Sequence, residues 1–301
     1  MKDIDEARAR LHGLFNIAVT PFTATGELDV RALAENLERV LGLGYDGILI
    51  GGTYGEFPTM SAAERAALFR QAMEIVGDHA PVMLCSAASD AREAAALTQL
   101  AGDLGGLPMV TPPFVSEVTD EQIVAFFADM APRSRTGVLI YNAPGIGITL
   151  SPALLERIAD LPGMVGVKQG DLSPGAVDDI ANRLSGRVRI FCASDLAFLG
   201  PMMCGFDGLS STNSGALPEV ILKTVRAVQA GDARLARDLH RLWYPYRRLA
   251  RRLGQPQTVK AAMGLRGWTG GHVRAPLRDL DTEAVAQLAP VLQAVLAGMP
   301  A

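Results

Sequence analysis

One lysine sits where a lysine has little structural reason to be. The stretch Met164-Val165-Gly166-Val167-Lys168-Gln169-Gly170-Asp171 reads as a short apolar strand that ends in the lysine and then turns at Gly-Asp. Of the 28 basic residues only Lys2, Lys168, Lys223 and Lys260 are lysines. Arginine stays protonated, whereas a desolvated lysine can lose its proton and become a nucleophile. A lone amine at the end of a buried strand therefore points to Schiff-base chemistry on a carbonyl substrate. The competing reading is a side chain that snorkels from the strand end into water.

Other reactive side chains follow apolar runs in the same way. Gly51-Gly52-Thr53-Tyr54-Gly55-Glu56, Tyr141-Asn142-Ala143-Pro144 and Ser210-Ser211-Thr212-Asn213 each close such a run. An iminium at Lys168 would act as an electron sink, and making or hydrolysing it moves protons on and off oxygen. Tyr141 is the expected general acid/base, and Thr53 can relay protons through its hydroxyl. The glycine-rich turn around Thr53 and Tyr54 can offer backbone N–H groups to a carboxylate. Each assignment has a plainer counterpart. A buried tyrosine can simply satisfy its own hydroxyl, and glycines can serve only a tight turn. Glu56 is expected to fix the turn or cap a helix, and Asp171 and Asp195 to cap or orient neighbours.

Positioning these groups requires a regular scaffold, and the chain supplies one. Eight apolar runs recur along it: 14–19, 47–50, 82–85, 107–110, 138–141, 164–168, 188–192 and 208–211. They are continuous instead of alternating, as expected for parallel strands covered on both faces. Between them lie helices with recognisable starts. Ser61-Ala62-Ala63-Glu64 and Thr119-Asp120-Glu121-Gln122 fit capping boxes, and Ser151-Pro152 sets a cap before a first-turn proline. From Val30, the residues Val30, Leu33, Leu37, Val40 and Leu41 form one helical stripe that Gly44 can close.

Eight such units predict an α/β fold, a closed (β/α)8 TIM barrel over residues 1–231. The alternative, a doubly wound open sheet, would need a nucleotide fingerprint that is missing. Residues 232–301 are expected to form a C-terminal helical region, with helices at 233–253, 259–265 and 282–296. In such barrels the active site lies at the C-terminal ends of the strands. That is where the amine, phenol and hydroxyls would converge.

Composition narrows the function. Hydrophobic content of 49% with 20% charged residues indicates a folded globular protein, and a net charge of −4 gives no electrostatic case for nucleic acid or an anionic membrane. No apolar run reaches the roughly 18 residues of a membrane span, and the charged N-terminus does not read as a signal peptide. Cys85, Cys192 and Cys204 are odd in number and widely spaced, as expected of reduced, packed thiols in a cytoplasmic protein. His12, His79, His240 and His272 form no paired-ligand spacing, so a metal-free mechanism is expected.

At these residues the chain resembles the dihydrodipicolinate synthase/N-acetylneuraminate lyase family through most of its length. Gly13 to Phe22 resembles the family's first strand. Gly52-Thr53-Tyr54-Gly55-Glu56 resembles its G-[ST]-x-G-E motif, Tyr141-Asn142-Ala143-Pro144 its Y-N-x-P, and Gly166-Val167-Lys168 its G-[IV]-K. Lys260 and Val273-Arg274-Ala275-Pro276-Leu277 also match. The resemblance implies a (β/α)8 barrel with a C-terminal helical region, in a homo-oligomer (dimer or tetramer). It implies pyruvate or another 2-keto acid as substrate, handled without metal or organic cofactor. It places the catalytic lysine at Lys168, the catalytic tyrosine at Tyr141, the carboxylate-binding pair at Thr53 and Tyr54, and a backbone lining position at Ser210.

Two positions depart from the synthase pattern. Where dihydrodipicolinate synthases carry T-P-Y-Y, this chain has Thr111-Pro112-Pro113-Phe114, and phenylalanine has no proton to relay. Where they carry an arginine after Y-N-x-P that grips the second substrate's carboxylate, Ile146 stands. The expected activity is thus a class I aldolase, lyase or dehydratase acting on pyruvate or a 2-keto-3-deoxy acid. The alternatives are 4-hydroxy-tetrahydrodipicolinate synthase, with other groups replacing the missing ones, and a non-catalytic keto-acid-binding barrel.

Overall fold

The computed structural model describes residues 1–300. Eight strands close into one parallel barrel in chain order: β1 (Gly13–Ile17), β2 (Gly47–Ile50), β3 (Val82–Cys85), β4 (Leu107–Val110), β5 (Val138–Asn142), β6 (Met164–Gln169), β7 (Arg189–Cys192) and β8 (Gly208–Ser211). The first strand pairs with the last, Gly13 opposite Gly208 and Phe15 opposite Ser210. Closure removes both sheet edges, which excludes the open doubly wound alternative.

Continuous apolar runs form these strands because both faces are covered. Phe15, Leu49, Met83, Met109, Leu139, Val165 and Phe191 share one buried cluster inside the barrel. Residues between them, such as Val110, Ile140, Val167 and Ile190, belong to a second cluster with the surrounding helices. The inside is tightly filled. Phe15 and Phe191 meet edge to face with ring centroids 5.0 Å apart. A β-carbon at Gly47 would lie 2.3 Å from the Phe15 ring, and one at Gly208 would lie 2.6 Å from Phe191. Glycine is required there so that large rings can plug the barrel.

Both expected capping boxes form, Ser61 with Glu64 and Thr119 with Gln122, and Ser151 caps the helix Pro152–Ala159. The helix Val30–Gly42 buries Leu33, Leu37 and Val40, but Val30 is exposed, so the stripe begins one turn later than expected. An additional helix, Ile4–Arg10, capped by Asp3, packs against β6 near the strands' N-terminal ends.

The C-terminal region departs from expectation at one point. The single helix expected over 233–253 is two helices, Ala233–Leu242 and Tyr244–Leu253, broken at Trp243. Pro245 explains the break, since it has no N–H to continue the ladder and its ring crowds the preceding turn. The helices Gln257–Leu265 and Thr282–Ala297 follow. Leu239, Trp243, Tyr246 and Val259 join the same apolar cluster as Ile190 and Leu209 of the barrel. Cys204, expected to be packed, is exposed just after a short helix, whereas Cys85 and Cys192 are buried. No helix among the described residues is long and apolar enough to cross a membrane.

Candidate active site

Lys168 and Tyr141 occupy the same register step on neighbouring strands β6 and β5. Partners in register on a parallel ladder send their side chains to the same face, here the interior. The Lys168 Nζ consequently lies 4.0 Å from the centre of the Tyr141 ring. The lysine is 3% exposed, which removes the snorkelling alternative. Burial pulls the amine down to about 8, opposed by the charges Cys85, Cys192 and Asp195 would carry. Its Nζ makes no hydrogen bond to any described residue. An amine with no acceptor and little solvent gives up its proton readily.

The Tyr141 hydroxyl shares a 2.9 Å hydrogen bond with the Thr53 Oγ1. Burial pushes this phenol up, with the Thr53 bond acting the other way, so it keeps its proton and remains a donor. Thr53 is brought there by the turn after β2. Gly51 adopts φ 63°, Thr53–Gly55 form one 3-10 turn, and the Gly55 N–H bonds back to the Gly52 carbonyl at 2.9 Å. Tyr54, half-exposed, stands at the rim; burial first, then the charges of Asp195 and Tyr141, push its phenol up.

These residues line one cavity of about 200 Å³ at the C-terminal mouth of the barrel. Gly52, Thr53, Tyr54, Tyr141 and Lys168 form one part of its wall. Ile17, Leu49, Ala143, Pro144, Ile146 and Ala193 form most of the remainder, with Ser194 the other side-chain hydroxyl. A larger open depression, about 620 Å³, lies around Met1, Glu6, Asp78 and Arg135 at the strands' N-terminal ends, away from this chemistry.

Other expectations resolve individually. Ser210 is buried on β8 with its hydroxyl donated to the Cys192 carbonyl at 3.2 Å, and it does not line the cavity. Glu56 is committed to an ion pair with Lys260 and fixes its turn. Asp171 accepts from the Ser173 N–H at 3.1 Å. Asp195 orients β8 by accepting from the Ser211 hydroxyl at 2.6 Å and from the Asn213 N–H at 3.1 Å. Burial raises its carboxyl and those bonds lower it. Phe114 packs over the turn at Gly147, where an added β-carbon would come within 2.7 Å of it.

The model of the dihydrodipicolinate synthetase family matches residues 10–295. The chain belongs to that family. A 4-hydroxy-tetrahydrodipicolinate synthase 1 of Streptomyces coelicolor is 33% identical over 283 residues, covering 90% of this chain and 89% of the relative. The 4-hydroxy-tetrahydrodipicolinate synthase of Synechococcus elongatus is 31% identical over 279 residues, with 91% and 93% covered. Among solved structures, a prophage protein of the family from E. coli K12, in complex with pyruvate, superposes with a TM-score of 0.89 at 27% identity, covering 95% of this chain and 99% of that one. Family membership makes this chain an enzyme of the lyase class.

The polar cavity residue that reading strand ends alone missed is Ser194, two residues past the end of β7. Cys85 and Cys192 close β3 and β7 but do not line the cavity, and burial pushes both thiols up. Extending the search from each strand end into the turn that follows it finds Ser194.

Proposed function

We propose that this protein forms a Schiff base between Lys168 and a 2-keto acid, pyruvate or a 2-keto-3-deoxy acid, as a class I lyase or aldolase. The observation that carries the reading is the Lys168 amine, buried without an acceptor, beside a phenol hydrogen-bonded to Thr53. With its proton affinity near 8, about a tenth of the amine is neutral at pH 7, against well under a thousandth for an unperturbed lysine.

The steps follow. The amine lone pair attacks the keto carbon, the keto oxygen takes a proton relayed from Tyr141, and the nitrogen of the adduct returns a proton to Tyr141. Water then leaves from the carbinolamine, with Tyr141 and Thr53 passing the proton it requires, and the iminium remains. In cleavage, the bond between C3 and C4 breaks and its electrons flow into the iminium, giving an enamine. The C4 hydroxyl passes its proton to the Tyr141–Thr53 relay, its C–O bond becomes C=O, and the C4 fragment departs as an aldehyde. Protonation at C3 and hydrolysis release pyruvate and the free amine. Condensation is the reverse. The keto acid's carboxylate is assigned to Thr53 and the Tyr54 backbone.

The departing or attacking aldehyde then faces Ile146, Pro144 and Ala143, which offer no charge. An anionic group there would find no charged partner, so an uncharged aldehyde suits the wall best. Release of pyruvate from a panel of 2-keto-3-deoxy acids tests this. Turnover that is abolished in Lys168→Ala supports it, and no release from any member counts against it.

A second reading is 4-hydroxy-tetrahydrodipicolinate synthesis from pyruvate and aspartate semialdehyde. The names of the sequence relatives speak for it more directly than for any other chemistry. A coupled assay with aspartate semialdehyde decides between the two. We also assign the chain to a cytoplasmic homo-oligomer, dimer or tetramer, for which sedimentation velocity is the check.

A further inference from the structure

The chain contains a second buried lysine, and its surroundings are the opposite of the first. Lys260 donates to three acceptors: the Thr20 carbonyl at 2.7 Å, Glu56 Oε1 at 2.5 Å and the His272 carbonyl at 2.6 Å. An ammonium has three N–H bonds, so all are used and none is left to make this amine a nucleophile. The other oxygen of Glu56 accepts from the Arg274 backbone N–H at 2.9 Å. The Arg274 side chain then reaches the Gly26 carbonyl at 2.7 Å, the Thr59 carbonyl at 3.1 Å and Glu64 at 2.6 Å.

Three distant segments are thereby tied at one point, the loop after β1, the turn after β2 and the stretch 260–274. Glu56 comes two residues after Tyr54 in that turn and holds φ 61°, the one non-glycine residue at positive φ among the described residues. A β-carbon disfavours that conformation, so something must hold it. The Glu56 N–H bonds to the Thr53 carbonyl at 3.1 Å, and the Thr20 hydroxyl donates to the Gly55 carbonyl at 2.7 Å. The clasp therefore holds the turn by two links, one ending on the Thr53 carbonyl and one on the Gly55 carbonyl. A buried ion pair contributes stability poorly compared with apolar packing of the same volume, which leaves geometry as its use.

We propose that Lys260, Glu56 and Arg274 are positioning residues that set the Thr53–Tyr54 turn, and with it the affinity for the keto acid's carboxylate. The proposal rests on the Schiff-base reading, and the test separates the two. The measurement is the pyruvate concentration that half-saturates borohydride trapping on Lys168. In Glu56→Gln/Lys260→Met, which removes both charges without leaving one stranded, half-saturation is expected to rise about tenfold or more while maximal trapping stays near wild type. Thr20→Val, which loses only the bond to Gly55, is expected to shift it about threefold.

If wild type traps pyruvate and the folded double variant matches its half-saturation, the positioning role is overturned. A loss of maximal trapping with unchanged half-saturation overturns it too, since that signals general damage to the barrel mouth. Should the double variant fail to fold, Thr20→Val decides by the same criterion. Absence of trapping in wild type contradicts the Schiff-base reading itself.

Discussion

Lys168 and Tyr141 stand side by side on β6 and β5, with the amine 4.0 Å from the centre of the phenol ring. Register alone imposes this pairing, because neighbouring parallel strands hold matched residues on the same face. One ligand bound to the amine is then within reach of the phenol, and the phenol is already hydrogen-bonded to Thr53.

Replacing Lys168 by methionine should remove the nucleophile and little else. Turnover is expected to fall about 10³-fold or more, as when other covalent nucleophiles are deleted. The fold should be as stable as wild type or more so, since a buried amine without an acceptor is replaced by apolar volume. Thermal unfolding beside a turnover assay checks both halves.

Tyr141→Phe should separate chemistry from packing. Loss of a positioned acid/base is worth about 10²–10⁴ in rate, whereas loss of one neutral hydrogen bond costs about 0.5–1.5 kcal/mol of stability. An unchanged turnover number would remove the phenol from the mechanism.

The pH dependence follows from the lowered amine. Below about 8 the rate of adduct formation at low pyruvate should rise about tenfold per pH unit, and it should level above that. For stability the sign is the reverse of a gained partner. Between about 8 and 10.5 the unfolded chain binds the proton that the native amine has lost, so native stability rises with pH across that window. The advantage of Lys168→Met over wild type should therefore be largest below pH 8 and shrink towards pH 10.5. Chemical denaturation of both proteins at several pH values measures it.

Ile146→Arg tests what the apolar wall selects. A guanidinium at that position would give a carboxylate-bearing aldehyde a bidentate partner. We expect kcat/KM for aspartate semialdehyde to rise about tenfold relative to an uncharged aldehyde, about 1.4 kcal/mol. No change in the ratio would show that Ile146 does not face the second substrate.

The scaffold was legible because both faces of the barrel are apolar, so each strand appears as an unbroken run; β2, β3, β4 and β8 have the very bounds such runs suggest. Lys168, Tyr141 and Thr53 were legible because the barrel gathers strand ends at one mouth. The break at Trp243 escaped a reading of periodicity, because Pro245 falls in a stretch whose amphipathic spacing continues past it. The partnership of Glu56 with Lys260 escaped for another reason. The two are 204 residues apart, and only the return of the C-terminal helices to the barrel mouth joins them. Ser210, expected to contribute only its backbone, spends its hydroxyl on the neighbouring strand.

The central claim is that of two buried lysines, only the one lacking hydrogen-bond acceptors is reactive. Incubation with pyruvate and borohydride, followed by peptide mapping, reads this directly. The account predicts one reduced adduct, on the peptide containing Lys168, with the Lys260 peptide unmodified. An adduct on Lys260, or none at all under conditions that trap a known Schiff-base aldolase, would contradict it.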